Sequence, residues 1–530
     1  MSAAANVPDG FLPFPAMIAA HAATMPGATA FRVDERTLSW KTLHEHVVQV
    51  GQALVRAGVT PGDRVAVLAS PSLAYVECLF GILAARACIV PLPVSASIET
   101  LEALLGDCGA RLLFLDPDTG EAAQAMAASL ASRTGLQVVP FGAAGAYGEA
   151  YVAWRGTGGG AALPQPEPED AFNIIYSSGT TGVPKGIVHL HGMRQQQARR
   201  DGFGFSRRSC TLLSTPMYSN TTILPLIGTV AHGGGCVLMR KFDAGRYLAL
   251  AGEHGVTHTM LVPVQYKRLL AHPDFDRTNL STLELSQSTG APMDVPLKRE
   301  IVERWPGRFL EVYGITEGGV SFFLEAKQHP DKLATVGRPG YGTEVFLIDE
   351  AGQRIPTDAS GATGEVVGRS PFMMSGYFNR PDATAQIRWL DEQGRVHHRT
   401  GDIGRFDGDG FLTLLDRAKD VIISGGHNIY AADLEAVIAR HPEVADAAVI
   451  GVPSEQWGET PLALVTLRAG GGIDAAGLRD WVNAQVGKTQ RLSAVELRAE
   501  LPRSALGKLS KKELRAPYWH AASQSAKVAS

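Results

Sequence analysis

The fold of this chain is decided by residues 176–186, which read Tyr-Ser-Ser-Gly-Thr-Thr-Gly-Val-Pro-Lys-Gly. They follow the largely apolar run Phe172–Ile175, which predicts a short buried strand. Glycines such as Gly179 free the backbone so that successive N–H groups can line one concavity, and such a concavity binds anions. Further donors are the side chains of Ser177, Ser178, Thr180, Thr181 and Lys185. The stretch therefore predicts a site for a polyphosphate.

This loop differs from a Walker loop, in which a glycine directly precedes the lysine. Here Pro184 precedes Lys185. The alternative interpretation is a flexible surface turn, which would not need this order of glycines, hydroxyl groups and lysine directly after a strand. We therefore interpret the stretch as a phosphate loop of another kind.

The composition is that of a globular chain. Of 530 residues, 45% are hydrophobic and 19% are charged, which excludes extensive disorder. The formal net charge of −4 gives no support for nucleic-acid binding. Five scattered cysteines favour a reducing compartment over a disulfide scaffold or a zinc site. The sequence shows neither a secretory signal nor a membrane span, so we expect a cytoplasmic protein.

Strands and helices alternate on both sides of the loop. Asp63–Ala69 and Cys88–Leu92 predict strands, and the helical pattern Ala74–Ala87 lies between them. This order predicts parallel βαβ units, whose connecting loops meet at one edge of an α/β sheet. From residue 336 onward, short strands predict a small β-rich subdomain and then an α+β lobe. We expect the last residues, Ala521–Ser530, to fray.

The loop sequence resembles the phosphate loop of the adenylate-forming (ANL) superfamily, which contains acyl- and aryl-CoA synthetases, luciferases and the adenylation domains of peptide synthetases. The resemblance implies a large N-terminal AMP-binding domain at residues 1–415 and a small mobile C-terminal domain at residues 421–530. A hinge at residues 416–420 would join them, with Lys419 at the hinge position.

Residues 313–317, Tyr-Gly-Ile-Thr-Glu, resemble the Tyr-Gly-x-Thr-Glu motif of this superfamily. The resemblance implies that Tyr313 stacks on adenine, that Thr316 donates to the α-phosphate and that Glu317 holds Mg²⁺, with Thr181 as a second ligand. Mg²⁺ prefers hard oxygen ligands, so a carboxylate and phosphates suit it. Taken alone, Glu317 would be interpreted as a solvated loop carboxylate.

Other segments resemble further parts of the nucleotide site. The turn Gly290-Ala291-Pro292 corresponds to the adenine side. Asp402, in Thr-Gly-Asp, and Arg417, fifteen residues later, correspond to the groups that face the ribose and phosphate. Lys508, in a Pro-Arg-x-x-x-Gly-Lys element, corresponds to the catalytic lysine, although a solvated basic face with Lys511 and Lys512 is the alternative interpretation.

The resemblance also implies where the acid and CoA bind. The acyl group would be bordered by Tyr218, Ser219, Gly290, Gly314 and Ile315. Many CoA ligases have a histidine at the position of Ser219. The small residues, together with Gly318 and Gly319, suggest room for a bulky or extended acid. Ser424, Gly425 and Gly426 would line the CoA tunnel, but His427 and Ala431 stand where many relatives have an acidic residue and a proline.

The resemblance implies a carboxylic acid–CoA ligase that uses ATP, Mg²⁺ and CoA on a fatty or aromatic acid, and from the net charge we expect no binding of nucleic acid. A homodimer is a possible assembly. Three alternatives stay open: an adenylation enzyme that loads a separate carrier protein, a luciferase-like oxygenase, and a catalytically silent nucleotide-binding protein on the same fold.

Overall fold

The computed structural model describes residues 10–142, 149–160, 162–177, 184–356, 361–424, 427–503 and 509–528. The chain divides into two units. The first unit consists of Met1–Asp331, Gly340–Thr343 and Arg369–His398. The second unit consists of Lys332–Pro339, Glu344–Gly368 and Arg399–Ser530.

The regular elements alternate along most of the chain. The helices are α1 (Phe14–Thr24), α2 (Trp40–Arg56), α3 (Leu73–Ala84), α4 (Ile98–Cys108), α5 (Glu121–Thr134), α6 (Glu149–Arg155), α7 (His191–Ala198), α8 (Asn220–His232), α9 (Ala244–Glu253), α10 (Pro263–Leu270), α11 (Val295–Arg304), α12 (Pro381–Gln386), α13 (Ala431–Ile438), α14 (Ala475–Asn483) and α15 (Lys511–Val528). The strands are β1 (Thr29–Val33), β2 (Arg36–Ser39), β3 (Arg64–Leu68), β4 (Cys88–Pro91), β5 (Leu112–Leu115), β6 (Gln137–Pro140), β7 (Ala171–Ser177), β8 (Lys185–Leu190), β9 (Cys210–Leu213), β10 (Gly235–Leu238), β11 (His258–Leu261), β12 (Leu285–Ser288), β13 (Arg308–Gly314), β14 (Ser321–Glu325), β15 (Arg338–Pro339), β16 (Glu344–Ile348), β17 (Thr363–Arg369), β18 (Gly376–Tyr377), β19 (Arg388–Leu390), β20 (Val396–Phe406), β21 (Leu412–Arg417), β22 (Ile422–Ser424), β23 (His427–Ile429), β24 (Val444–Ser454), β25 (Gly458–Leu467) and β26 (Ala494–Leu497).

Two mixed sheets form the first unit. One has the order β14-β13-β12-β11-β9-β10-β1-β2, in which the strands from β13 to β1 run parallel. The other has the order β18-β8-β7-β4-β3-β5-β6, in which the strands from β7 to β6 run parallel. The parallel βαβ architecture predicted from the sequence is therefore present. The carboxyl ends of parallel strands lie at one edge of a sheet, where α/β proteins bind their ligands.

The helix α3 lies in the core of the first unit. It contacts β1 in one sheet and β4 in the other, and all 12 of its residues are buried. Apart from Glu77, which forms an ion pair with Arg155, the helix is apolar on every side, and such a helix is stable only when other elements surround it. Within the described part of the chain, no helix is long and apolar enough to cross a bilayer.

The second unit contains two smaller sheets. One runs β16-β17-β20-β21, and the other runs β23-β22-β25-β24 with β26 beside β25. The helix α15 contacts β24, and its Leu514 and Tyr518 pack against a buried cluster that contains Ile450. Helix α15 continues to Val528 and therefore includes most of the residues 521–530 that were expected to fray.

Candidate active site

The hairpin of β7 and β8 carries both ends of the predicted phosphate loop. Its register pairs Ser177 with Lys185 and Tyr176 with Gly186. A side chain at Gly186 would lie 2.7 Å from Ile174, so a glycine is required where the returning strand begins. Outside the described residues lie Ser178, Gly179, Thr180 and Thr181. The structure therefore defines where the loop begins and ends.

Lys185 and Glu317 both contact one tyrosine that sequence analysis missed, Tyr377. The ammonium group of Lys185 lies 5.1 Å from the centroid of the Tyr377 ring, within cation–π range. The Tyr377 hydroxyl donates a hydrogen bond of 2.6 Å to Oε1 of Glu317. Burial and the nearby Glu317 carboxylate raise the pKa of Tyr377, so the phenol keeps its proton and remains a donor.

Tyr377 is held by backbone contacts. Its strand β18 pairs with β8, with Tyr377 opposite Ile187, and its N–H donates to the hydroxyl of Thr384 at 2.9 Å. A two-residue strand gives no periodicity in the sequence. The only sequence signal was an aromatic residue after a glycine, which is too common to identify a functional residue.

The turn after Glu317 is fixed by backbone packing. Gly318 has φ +72°, and a Cβ there would lie 2.0 Å from the carbonyl oxygen of Phe372. Gly319 has φ +96°, which also favours glycine. The Glu317 carbonyl accepts from Met374 N–H at 2.9 Å. The expectation that Gly318 leaves room for the acid is wrong, because the Phe372 backbone fills that space.

A buried polar network lies beneath this turn. We call Asn173, His189, Arg194 and Asn220 the interior network. His189 Nε2 lies 2.8 Å from the carbonyl oxygen of Thr316. The Arg194 guanidinium donates to Oδ1 of Asn173 and of Asn220 at 2.8–3.0 Å and lies 3.0 Å from Nδ1 of His189. The network thus links β7, β8, α7 and the start of α8 to the motif that carries Glu317.

The interior network requires a neutral histidine. Burial, and secondly the neighbouring Arg194 charge, hold the pKa of His189 well below its ordinary value. Arg194 is fully buried, and burial lowers its pKa to about 9, so it stays charged at neutral pH. A neutral ring that donates from Nε2 to Thr316 can accept from Arg194 at Nδ1. The arrangement therefore fixes the Thr316 backbone.

His398 supports the same turn from another element, β20. It is buried, and the backbone of Gly318 and Glu317 lies beside its ring. Burial lowers the pKa of His398 to about 4, so it is neutral at pH 7. Sequence analysis missed this histidine because it lies about eighty positions after the turn that it supports.

The adenine side and the acyl side of the predicted site follow the hairpin of β13 and β14. Tyr313 is half-buried, and its ring centroid lies 5.7 Å from that of Phe322. Gly314 is exposed and pairs with Ser321, and Ile315, Thr316 and Glu317 are half-buried in the turn that follows.

The remaining acyl-side residues lie at strand ends and a helix start. Gly290, with φ +89°, is exposed in the turn after β12, followed by half-buried Ala291 and exposed Pro292. Ser219 is the N-cap of α8, where its hydroxyl accepts from the Thr221 N–H at 3.2 Å. Tyr218, directly before it, is half-buried. The hydroxyl that stands in place of a histidine thus stabilises a helix end.

The second unit brings together the two predicted ribose-side residues. Asp402 on β20 and Arg417 on β21 are directly opposite, and Nε of Arg417 lies 2.6 Å from Oδ1 of Asp402. Nearby, the Ala431 N–H donates to Oδ2 of Asp416 at 2.9 Å. A proline lacks this N–H, so the departure from the family pattern at Ala431 supplies a hydrogen bond.

The segments around Lys508 and the predicted CoA tunnel are described only in part. Lys508, Gly425 and Gly426 lie outside the described residues. Ser424 pairs with exposed His427 in the β22–β23 hairpin and with Gly458 of β25. The carbonyl oxygen of Lys419 accepts from Arg515 of α15 at 3.4 Å.

Comparison with known proteins identifies the family. The AMP-binding enzyme model matches residues 18–378, and the model of the AMP-binding enzyme C-terminal domain matches residues 433–508. The chain belongs to the family of AMP-binding enzymes, as the phosphate loop and the Tyr-Gly-x-Thr-Glu motif predicted.

The chain is also similar to individual proteins of known activity and structure. The chain is 32% identical to feruloyl-CoA synthase of an Amycolatopsis species, over 92% of this chain and 96% of that protein. It is 30% identical to the fatty acid–[acyl-carrier-protein] ligase ScoC of Streptomyces coeruleorubidus, over 94% of this chain and 95% of that protein. The crystal structure of ATP-bound MatB from Rhodopseudomonas palustris superposes with a TM-score of 0.86 at 26% identity, over 96% of this chain and 99% of the MatB chain. The predicted fold and the predicted class, acid–CoA ligase, are confirmed.

Proposed function

We propose that the chain ligates a fatty or aromatic carboxylic acid to CoA in two steps at one site. In the first step, a carboxylate oxygen attacks the α-phosphorus of ATP, and pyrophosphate leaves as acyl-AMP forms. In the second step, the CoA thiolate attacks the acyl carbonyl carbon, and AMP leaves as the thioester forms. The single observation that carries this proposal is the contact of Tyr377 with both Lys185 and Glu317.

This contact matters because a bound nucleoside triphosphate needs a cation and a metal ligand close together. Lys185 supplies the cation at the end of the phosphate hairpin. Glu317 supplies a carboxylate on the neighbouring motif, and Tyr377 spans the two. A preorganised cation and carboxylate can stabilise the charge that develops during nucleotidyl transfer.

The Glu317 side chain fits a role in holding Mg²⁺. It is half-buried, one oxygen accepts from Tyr377, and no lysine, arginine or histidine of the described residues forms an ion pair with it. The described residues include no cluster of three or more metal-binding side chains, so an ion here would take its other ligands from phosphates, water and the Thr181 hydroxyl. When bound, Mg²⁺ would neutralise phosphate charge and polarise the α-phosphate.

Further residues complete the proposed first step. Tyr313 would stack on adenine, and the hydroxyl of Thr316 would donate to the α-phosphate. The Asp402 carboxylate would accept from the ribose hydroxyls beside Arg417. Lys508 would stabilise the charge between the acyl carboxylate and the α-phosphate as a point cation. The adenine-side turn would consist of Gly290, Ala291 and Pro292.

The second step would use the C-terminal domain, residues 421–530, after rotation about the hinge at Lys419. Ser424, Gly425 and Gly426 would then face the pantetheine. Such a movement removes Lys508 from the site and limits access of water to the mixed anhydride. In this proposal residues 1–415 form the adenylating domain.

Lys508→Ala separates the two steps. It should slow acyl-AMP formation by about a hundredfold or more, because a cation at the developing charge is lost. It should leave thioester formation from supplied acyl-AMP within about twofold of the parent, since that step would not use the lysine. Pyrophosphate release and acyl-CoA formation measure the two steps. Equal loss of both would remove Lys508 from the proposed role, and exposed Lys512→Ala is the matched control.

A carrier protein is the second candidate acceptor, favoured by the similarity to the carrier-protein ligase. In that case acyl-AMP would form without stimulation by CoA, and added carrier protein would accelerate AMP release. The assembly state, for which we propose a homodimer, is measured by light scattering on the purified chain.

A further inference from the structure

Arg200 lies two residues after α7, beside the turn that carries Glu317. Its guanidinium carbon lies 3.6 Å from the centroid of the Phe372 ring and 5.7 Å from that of Phe323. Phe372 is the residue whose carbonyl packs against Gly318. The arginine is therefore held by aromatic rings next to the turn, where its planar group has little freedom.

The charge of Arg200 has no counter-charge in the described part of the chain. Its hydrogen bond there runs from Nη2 to the hydroxyl of Ser321 at 3.2 Å, and no described carboxylate lies within ion-pair distance. By contrast, the half-buried Arg86 pairs with Asp170 at 2.9 Å. Burial lowers the pKa of Arg200 to about 10, so it remains charged at neutral pH. A desolvated charge is costly unless an opposite charge meets it.

The hairpin of β13 and β14 shows which side of the site Arg200 faces. Tyr313 is opposite Phe322, and Gly314 is opposite Ser321. Successive side chains point to opposite faces of a strand, so Ser321 and Phe323 share the face of Gly314, whereas Tyr313 points to the other face. Arg200 contacts Ser321 and Phe323 and therefore lies on the Gly314 face.

We propose that Arg200 binds a second carboxylate at the far end of the acid, so that the substrate is a dicarboxylic acid. The inference rests on the proposed function, because it takes the Tyr313 face for adenine and the Gly314 face for the acyl group. The guanidinium fork matches a carboxylate with two parallel N–H donors. Gly314, on the same face of the hairpin as Arg200, is exposed and carries no side chain.

The test compares each diacid with its monomethyl ester, which keeps the length and removes the distal charge. Aliphatic diacids of graded length and benzenedicarboxylates are offered with ATP and CoA, and kcat/KM for AMP release is measured. The parent chain should favour the best diacid over its ester by about tenfold or more, as expected for loss of a charged hydrogen-bonded partner.

Arg200→Met should lower kcat/KM for the diacid by about tenfold or more and leave the value for the monoester within about twofold. Arg200→Lys should restore part of the diacid activity, since it keeps the charge without the fork. Arg199→Met is the control, because the neighbouring Arg199 is exposed and donates to the Gly10 carbonyl at 3.3 Å.

The outcomes are distinguishable. A parent chain that uses monoesters as well as diacids overturns the inference and leaves the proposed function intact. Equal loss on diacid and monoester in Arg200→Met also overturns it, because the residue would then act only on the structure. A chain that releases no CoA-dependent AMP with any acid overturns the proposed function itself.

Discussion

Two neighbouring regions of the site differ in how their charges are satisfied. In the interior network, Arg194 is fully buried and its guanidinium donates to amide oxygens of Asn173, Asn220 and Gln197. A second set, which we call the rim group, consists of Lys185, Arg200, Glu317 and Tyr377. Its charged members are half-buried, and neither Arg200 nor Glu317 has an ion pair with a described residue.

The difference separates two functions of charged residues. A buried charge whose hydrogen bonds are made within the protein fixes the structure, because nothing further can bind to it. A half-buried charge without a counter-ion is available to a ligand. Substitutions in the interior network should therefore lower stability and activity together, whereas substitutions in the rim group should lower activity alone.

Glu317→Gln should have the largest effect on activity. Removing the charge proposed to bind Mg²⁺ should slow acyl-AMP formation by about a thousandfold, which corresponds to about 4 kcal/mol. The melting temperature should stay within about 2 °C of the parent value, because Glu317 has no ion pair with a described residue. Pyrophosphate release measures the rate of acyl-AMP formation, and thermal unfolding measures the melting temperature. Glu325→Gln, at the far end of β14, is the control. A drop in the melting temperature of Glu317→Gln would show instead that Glu317 stabilises the fold.

Arg194→Met should produce the largest loss of stability. It leaves the Oδ1 atoms of Asn173 and Asn220 without the donor that Arg194 supplies, so the free energy of unfolding should fall by about 3 kcal/mol. Acyl-AMP formation should fall as well, because Thr316 loses its support. Urea unfolding and pyrophosphate release measure these effects. Unchanged stability beside lost activity would assign Arg194 to the rim group.

Tyr377→Phe should have a smaller effect. The ring that contacts Lys185 remains, but the hydrogen bond to Glu317 is lost, so acyl-AMP formation should fall by about tenfold. The Mg²⁺ concentration for half-maximal activity should change, because the Tyr377 hydroxyl no longer orients the carboxylate. A titration of Mg²⁺ at saturating ATP measures this shift, and an unchanged rate would remove Tyr377 from the site.

Mildly acidic pH should slightly lower the free energy of unfolding. His191 and His398 are buried with pKa values of about 4, below the ordinary 6.5, because burial disfavours the charged ring. As the pH falls, these histidines take up protons in the unfolded chain before they do so in the folded chain. The stability that comes from keeping them neutral is therefore complete above about pH 6.5 and is lost between pH 6.5 and 4. The loss from pH 7 to 6 should be about 1 kcal/mol for the two histidines.

Urea unfolding at several pH values measures this loss. His191→Phe should reduce the slope, because the ring nitrogens of His191 have no hydrogen-bond partner among the described residues and its ring already packs edge-on against Phe172. If the unfolding free energy of this variant depends on pH as steeply as that of the parent, His191 does not contribute to the pH dependence.

The sequence predicted the elements whose signals are local. The helix predicted at Ala74–Ala87 corresponds to α3, which begins at Leu73 because Ser72 caps it, and the strands predicted on either side of it correspond to β3 and β4. Asp402 and Arg417 were predicted, from a family spacing, to face the same part of the nucleotide, and antiparallel pairing places them opposite each other.

Features set by distant contacts were not predictable. The strand β20 has mixed polar and glycine residues, and its neighbours β17 and β21 determine its conformation. Tyr377 reaches Glu317 across sixty positions, and Arg194 reaches Asn220 across twenty-six. Such contacts depend on how the sheets assemble, which a single sequence does not encode in any short pattern.

The most direct test of the central claim is AMP formation from ATP over a panel of fatty, aromatic and dicarboxylic acids, with and without CoA. For an acid–CoA ligase, we expect that AMP release requires one class of acid, rises when CoA is added and is matched by an equal amount of acyl-CoA. AMP or pyrophosphate release that CoA does not change, or no release with any acid, would contradict it.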